Sequence, residues 1–189
     1  MKIIAIGGTP CTGKTTIAQK LGEALGREVI NLGVVAIESG CITEEDLERD
    51  TTVIDEDCLV EALMDLLHER EDDLIIEGHY VDLVPWSSLD FAVVLRTHPD
   101  ILRERLKSRG YSEPKVAENV EAEVFGACQL DALDAFGEEF VFEIDTSKVS
   151  VEEAVKMIVG LLDSDELGER IDWMTILEEN GTLDDYIKR

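Results

Sequence analysis

The chain has 189 residues, of which 43 are acidic and 17 basic, giving a formal net charge of −26. A hydrophobic share of 44% is that of a folded protein, and this length suffices for one sheet core covered by helices on both faces. The longest apolar runs are strand-length, which excludes a helical membrane span, and the charge argues against direct binding to a nucleic-acid backbone.

Two readings of the acidity stand side by side: solubility in salty surroundings, or a basic protein partner. Cys11, Cys41, Cys58 and Cys128 are widely spaced with no C-x-x-C pair. Neither a zinc site nor a disulfide framework is therefore expected, and the three cysteines beyond residue 11 read as small core residues. With no signal peptide in the opening residues, the expected compartment is a reducing cytoplasm.

The first element is an apolar strand, Ile3-Ile4-Ala5-Ile6, followed by Gly8-Thr9-Pro10-Cys11-Thr12-Gly13-Lys14-Thr15. This is G-x-x-x-x-G-K-[ST] between a strand and a helix, the setting in which the pattern has physical meaning. Its glycines let successive N–H groups turn inward around an anion, and the next helix adds its positive end. Lys14 is placed to reach the β- and γ-phosphates, and the Thr15 hydroxyl to ligate Mg²⁺; Cys11 offers its backbone N–H. The expected ligands are ATP and Mg²⁺.

Further apolar runs at 29–30, 74–76, 91–95 and 140–144 read as strands. Between them, helical spacing appears over 14–25 (Ile17, Leu21, Leu25), 58–67 (Leu59, Leu63, Leu66, Leu67) and 151–162 (Val151, Val155, Ile158, Leu162). Strands alternating with helices predict an α/β, three-layer fold on a mostly parallel sheet, its strands buried on both faces. Ligands of such sheets sit at the carboxyl ends of the strands. Asn31 and Gly33, Glu77 and His79, Arg96, and Asp145-Thr146 follow strand ends and are site candidates alongside the loop.

Asp55-Glu56-Asp57 reads as the capped start of a helix. Ile75-Ile76-Glu77-Gly78-His79 closes the third strand, where a carboxylate can hold Mg²⁺ directly or through water. For His79, a phosphate or water contact and a purely structural role are both open. Five of the 17 basic residues, Arg96, Arg103, Arg105, Lys107 and Arg109, fall within 14 positions. Pro99 and Asp100 open a helix on which Arg105 and Arg109 lie four apart. They suit a transferring phosphoryl group, or else pair with Glu104 on a solvated face. Gly110 reads as the helix stop and the hinge of a short lid. Beyond about residue 163 the chain is acidic, with short amphipathic pieces at 171–177 and 183–187; the first docks on the domain or meets a partner.

Several motifs fall in one order at one spacing: Gly8-Thr9-Pro10-x-x-Gly13-Lys14-Thr15-Thr16, Ile30-Asn31-x-Gly33, Ile54-Asp55-Glu56-Asp57, Glu77-x-His79, Leu95-Arg96-Thr97 and Glu104-Arg105-Leu106-x-x-Arg109-Gly110-Tyr111. From residue 3 to about 125 they resemble the atypical adenylate kinases of archaea and the eukaryotic nucleus, the adenylate kinase isoenzyme 6 family, which is linked to small-ribosomal-subunit assembly. The resemblance implies a P-loop nucleoside monophosphate kinase fold with a five-stranded parallel sheet. It implies a kinase domain over 1–163, with an acceptor-binding segment near 31–54 and a short lid near 108–117, followed by an acidic helical tail over 164–189. It also implies that Cys11, Thr12, Gly13, Lys14, Thr15, Thr16 and Arg109 hold ATP, that Thr15 and Glu77 hold Mg²⁺, and that Lys14, Glu77, His79, Arg105 and Arg109 act in catalysis. Asn31, Gly33 and Arg96 are expected on the acceptor side.

The chain departs from the family at Glu77, where aspartate is usual, and at Val34 and Ile37, where the family has an aspartate and an arginine that can hold the acceptor phosphate; Arg49 is a candidate substitute. The implied activity is transfer of the ATP γ-phosphate to a nucleoside monophosphate, with AMP first, slow ATP hydrolysis alongside and a part in ribosome maturation. The alternatives are an ATP-driven assembly switch on a basic small-subunit ribosomal protein, and a small-molecule kinase on the same scaffold.

Overall fold

A computed structural model describes residues 1–46, 51–162 and 168–187. Its strands are β1 (Ile3–Gly7), β2 (Glu28–Asn31), β3 (Ile42–Asp46), β4 (Thr51–Ile54), β5 (Leu74–Glu77), β6 (Leu89–Arg96) and β7 (Val141–Asp145). Its helices are α1 (Lys14–Leu25), α2 (Leu32–Glu38), α3 (Glu56–His68), α4 (Pro99–Ser108), α5 (Glu113–Phe125), α6 (Ala127–Phe136), α7 (Val151–Leu161) and α8 (Trp173–Glu179). The five strands expected from the apolar runs form one sheet in the order β2-β5-β1-β6-β7, and every neighbouring pair is parallel.

Continuous β-branched runs suit these strands because helices cover both faces. Along β1, Ile4 and Ile6 point to one face and meet Ile17, Leu21, Ala154 and Ile158 of α1 and α7. Ile3 and Ala5 point to the other and meet Leu59, Leu63, Ala132 and Phe136 of α3 and α6. This is the three-layer α/β architecture that the alternation of elements predicts. Local chemistry sets the helix starts. The Asp55 carboxylate accepts from Cys58 N at 3.0 Å to cap α3, and Ser150 with Glu153 forms a reciprocal capping box on α7. Only four residues, 109–112, connect α4 to α5, so the segment expected as a short lid near 108–117 contains a tight turn.

Helices α2 and α6 and the antiparallel hairpin β3–β4 carry no clear apolar period, and the sequence pattern did not reveal them. Arg49 lies outside the described residues, as does part of the expected acidic tail. The docked end of the chain buries Trp173 and Leu177 against Val124 of α5, while Ile176 stays exposed. The piece expected at 183–187 is a single 3-10 turn, Leu183–Asp185. Among the described residues no helix is long and apolar enough to cross a membrane.

One expectation is corrected. Cys41 and Cys58 are not separate core thiols: they form a disulfide, with Cα atoms 5.4 Å apart. The cause is tertiary, because Asp55 N donates to Cys41 O at 2.9 Å and brings the start of α3 beside the start of β3. Sequence spacing carries no sign of this meeting. The bond closes a 17-residue separation around the hairpin, which corresponds to about 3 kcal/mol of loop-closure stabilisation. Reduction, or Cys58→Ser, should therefore lower the thermal midpoint by roughly 5–10 °C. Calorimetry with and without reductant checks this, and the Cys41→Ser/Cys58→Ser protein should ignore the reductant.

Candidate active site

The loop between β1 and α1 turns where only glycine fits. Gly8 has φ 137°, and a Cβ there would stand 2.5 Å from Leu95 O on the neighbouring strand. Gly13 has φ 106° at the N-cap of α1, and no side chain caps that helix, so its first N–H groups face the loop's concave side. Cys11 adopts φ 70°, the one positive φ among described non-glycine residues. Its buried side chain packs with Leu102, Leu106, Val116 and Val120, anchoring the loop to α4 and α5.

Beside this loop lies a cleft of about 410 Å³ that gathers most of the expected residues: Cys11, Gly13, Lys14, Thr15, Thr16, Asn31, Gly33, Glu77, His79 and Arg109. Pro10, Gly78 and Tyr111 complete its lining. Lys14 Nζ donates to Gly8 O at 2.7 Å and Thr9 O at 3.0 Å. Desolvation lowers its pKa below the ordinary lysine value, while the charges of Glu77 and Glu123 oppose the shift. Thr15 Oγ1 donates to Glu77 Oε1 at 3.0 Å, and Asn31 Nδ2 donates to the same oxygen. Asn31 Oδ1 accepts from Val34 N at 2.9 Å, so one side chain caps α2 and orients the carboxylate. Glu77 is 2% exposed and ends β5. A hydroxyl and a carboxylate meeting beside inward N–H groups and a lysine form an oxygen donor set suited to Mg²⁺ next to phosphates.

His79 follows on the same wall, its Nδ1 3.5 Å from Cys128 Sγ. Although the side chain reaches solvent, desolvation and then the Lys14 charge lower its pKa below the usual imidazole value. Burial pushes the Cys128 thiol up to about 11, so it stays protonated.

Three expected site residues point elsewhere. Arg96 is 1% exposed; its Nε donates to Glu123 Oε1 at 2.9 Å and its Nη1 to Glu143 Oε2 at 3.2 Å, so it is buried in an ion-pair network and does not line the cleft. Thr12 is fully buried, and both its N–H and its hydroxyl donate to Thr9 O, leaving it as an internal brace of the loop. Arg105 does not aim with Arg109. Its Nη2 donates to Thr146 O at 2.8 Å and its Nη1 to Thr146 Oγ1 at 3.2 Å, tying α4 to the end of β7. Arg109, one turn on, is exposed on the cleft. Helical spacing shows that two arginines share a face, but not which one the interior captures.

Nothing in the sequence pattern marks Glu123. It is one acid among 43, on an ordinary helical stretch, and only the fold brings it under the loop. A larger cleft of about 490 Å³ lies along β7 and α7, lined by Phe142, Ile144, Met157 and Trp173. None of the loop residues 8–15 lines it.

The scaffold is that of the P-loop kinases. It overlays a shikimate kinase from Acinetobacter baumannii with a TM-score of 0.60 at 17% identity, covering 88% of this chain and 96% of that one. It overlays the YorR protein of Bacillus subtilis, solved with phosphorylated GDP, with a TM-score of 0.56 at 20% identity, covering 86% and 96%. At such identities the likeness is one of fold. The profile of the AAA_18 family, described as an AAA domain, matches residues 4–126. The chain is 41% identical over 180 residues to the "Putative adenylate kinase" of Pyrococcus abyssi, covering 94% of each. It is 37% identical over 171 residues to the protein of that name in Methanocaldococcus jannaschii, covering 90% of this chain and 92% of the relative. The chain belongs to this AAA_18 family, with the archaeal proteins that bear that name.

The environment of His79 is testable by NMR titration, with its resonance assigned through His79→Gln. Its midpoint should fall below the ordinary imidazole value of about 6.5, and Lys14→Met, which removes the neighbouring cation, should raise it.

Proposed function

We propose that this chain is a nucleoside monophosphate kinase that uses ATP and Mg²⁺, with AMP as its first acceptor. The observation that carries the reading is the meeting of Thr15 Oγ1 and Glu77 Oε1 at 3.0 Å beside Lys14 and the glycine-turned loop. Family membership with proteins named for adenylate kinase activity supports it.

Phosphoryl transfer needs positioning and charge stabilisation more than covalent chemistry. The loop N–H groups and the end of α1 hold the triphosphate, and Lys14 leaves the Gly8 and Thr9 carbonyls to meet it. Thr15 and Glu77 hold Mg²⁺, which when bound neutralises phosphate charge. His79, kept neutral by its surroundings, offers a hydrogen bond without adding a charge. Arg109, just before Gly110 at φ 82°, is placed to bring its guanidinium onto the transferring group. Arg105 acts through structure, holding the loop that carries Thr146 against α4.

The acceptor side is distinctive. Val34 is 48% exposed and Ile37 65% exposed on α2, so the positions that carry charges in the resembling family are apolar and open here. That observation keeps a second reading in view: an ATPase switch whose α2 surface meets a protein, for which the resemblance suggests a basic small-subunit ribosomal protein.

Chromatographic product analysis with ATP·Mg²⁺ separates the two. Rapid AMP-dependent ADP formation that is abolished in Lys14→Ala is the expected result. Slow phosphate release indifferent to AMP, to other monophosphates and to small-molecule alcohols would instead favour the switch.

The two arginines should part company. Arg109→Ala is expected to lower kcat on the order of 10²-fold with an unchanged melting midpoint. Arg105→Ala should lower the midpoint as well, because Thr146 and its loop lose their tie. Steady-state kinetics beside thermal melts checks both.

A further inference from the structure

The C-terminal segment and the ATP loop meet at one carboxylate. Glu123, on α5, is 2% exposed. Its Oε2 accepts from Thr9 Oγ1 of the loop at 2.6 Å. Its Oε1 accepts from Arg96 Nε at 2.9 Å, from Thr97 N at 3.0 Å and from the indole N–H of Trp173 at 3.1 Å. Arg96 extends the link, because its Nη1 donates to Ile171 O at 2.9 Å. Residues 171 and 173, more than 150 positions from the loop, thus complete the shell of a group that grips the loop.

The grip lies close to the chemistry. Thr9 presents its hydroxyl to Glu123 and its carbonyl to Lys14 Nζ, at 3.0 Å. When Lys14 turns to a phosphate it leaves that carbonyl, so the hydrogen bonding of Thr9 differs between the two positions of the lysine. Thr9 is 2% exposed, Glu123 2% and Trp173 3%, and bonds in so dry a setting polarise one another more strongly than they would in water. Coupling of this kind is reciprocal: what nucleotide does to Trp173, Trp173 does to nucleotide affinity.

We propose that Glu123 is a positioning residue for the ATP loop and that Trp173, through it, couples the docked C-terminal helix to nucleotide binding. The proposal rests on the ATP reading above. The alternative is a tail that only covers Val124 and adds stability.

The test uses the full chain carrying Trp86→Phe. Trp86 is 73% exposed, just before the start of β6, at the end of the sheet opposite the loop. Trp173 is then the single indole, and the probe is AMP-PNP with Mg²⁺, its binding measured independently by calorimetry. Saturation should shift Trp173 emission. Trp173→Phe, which keeps an aromatic ring and removes the N–H donor, should weaken AMP-PNP binding about five- to tenfold, the size of one ordinary net hydrogen bond. Thr9→Val should do the same, and the double variant should lose less than the product of the single losses.

Calorimetric binding with unchanged emission, or with unchanged affinity in folded Trp173→Phe, overturns the clamp and leaves the ATP reading standing. No binding by the Trp86→Phe parent overturns both. If Trp173→Phe does not fold, Thr9→Val in the single-indole background decides: its unliganded Trp173 emission should differ from that of the parent, and identical spectra refute the clamp.

Discussion

A parallel sheet buried on both faces leaves polar chemistry one place to go, and that constraint organises this molecule. The β1 residues Ile3, Ile4, Ala5 and Ile6 have no exposed surface, and most of β5 and β6 is equally enclosed. A charge or ligand within these strands would lie in hydrocarbon. All five strands run the same way, so their carboxyl ends gather on one edge, and Gly8, Asn31, Glu77, Arg96 and Asp145 stand there by topology. The glycine-turned loop, the Glu77 carboxylate and the end of β7 come together because β1, β5 and β6 carry buried apolar side chains along most of their length and end on this one edge.

That edge also carries the most demanding interior in the protein. Arg96, Glu123 and Glu143 are each less than a tenth exposed, and Arg96 pairs with both carboxylates. Burying such charges contributes little net stability compared with apolar packing, but removing one partner would strand the others at about 3–5 kcal/mol. What the network supplies is definition. Nε, Nη1 and Nη2 of Arg96 each have an acceptor, among them Gln129 Oε1 at 2.8 Å, Glu123 O at 2.8 Å and Ile171 O at 2.9 Å. Helices α5, α6 and α8 are thereby held in one arrangement around the strand ends, and the glycine-turned loop inherits that arrangement through Thr9.

The same economy of cations explains how a chain of net charge −26 presents a site for a polyanion. Many of the 17 basic side chains are engaged with acids, as Arg27 is with Asp73 at 2.9 Å and Lys107 with Glu113 at 2.9 Å. Among the described residues, Lys14 and Arg109 line the cleft without a salt bridge to an acid within 4 Å. Attraction at the site is therefore local, made of N–H groups, a helix end and these two charges, and it acts at contact, not through a long-range field.

Patterns of adjacent residues were enough to determine the five sheet strands, helices α1, α3, α4 and α7 and the glycine-rich loop, and they marked Glu77, His79 and Arg109, which line one cleft. Apolar runs, helical periods and glycine spacing express backbone and burial preferences that act over a few residues. Tertiary structure decided the rest. It paired Cys41 with Cys58, folded the hairpin β3–β4, turned Arg96 and Thr12 inward, took Arg105 for Thr146 and brought Glu123 beneath Thr9. Each of these outcomes depends on which partner stands opposite once the layers have packed, and a buried polar group takes the partner within hydrogen-bond reach whatever the distance between them along the chain.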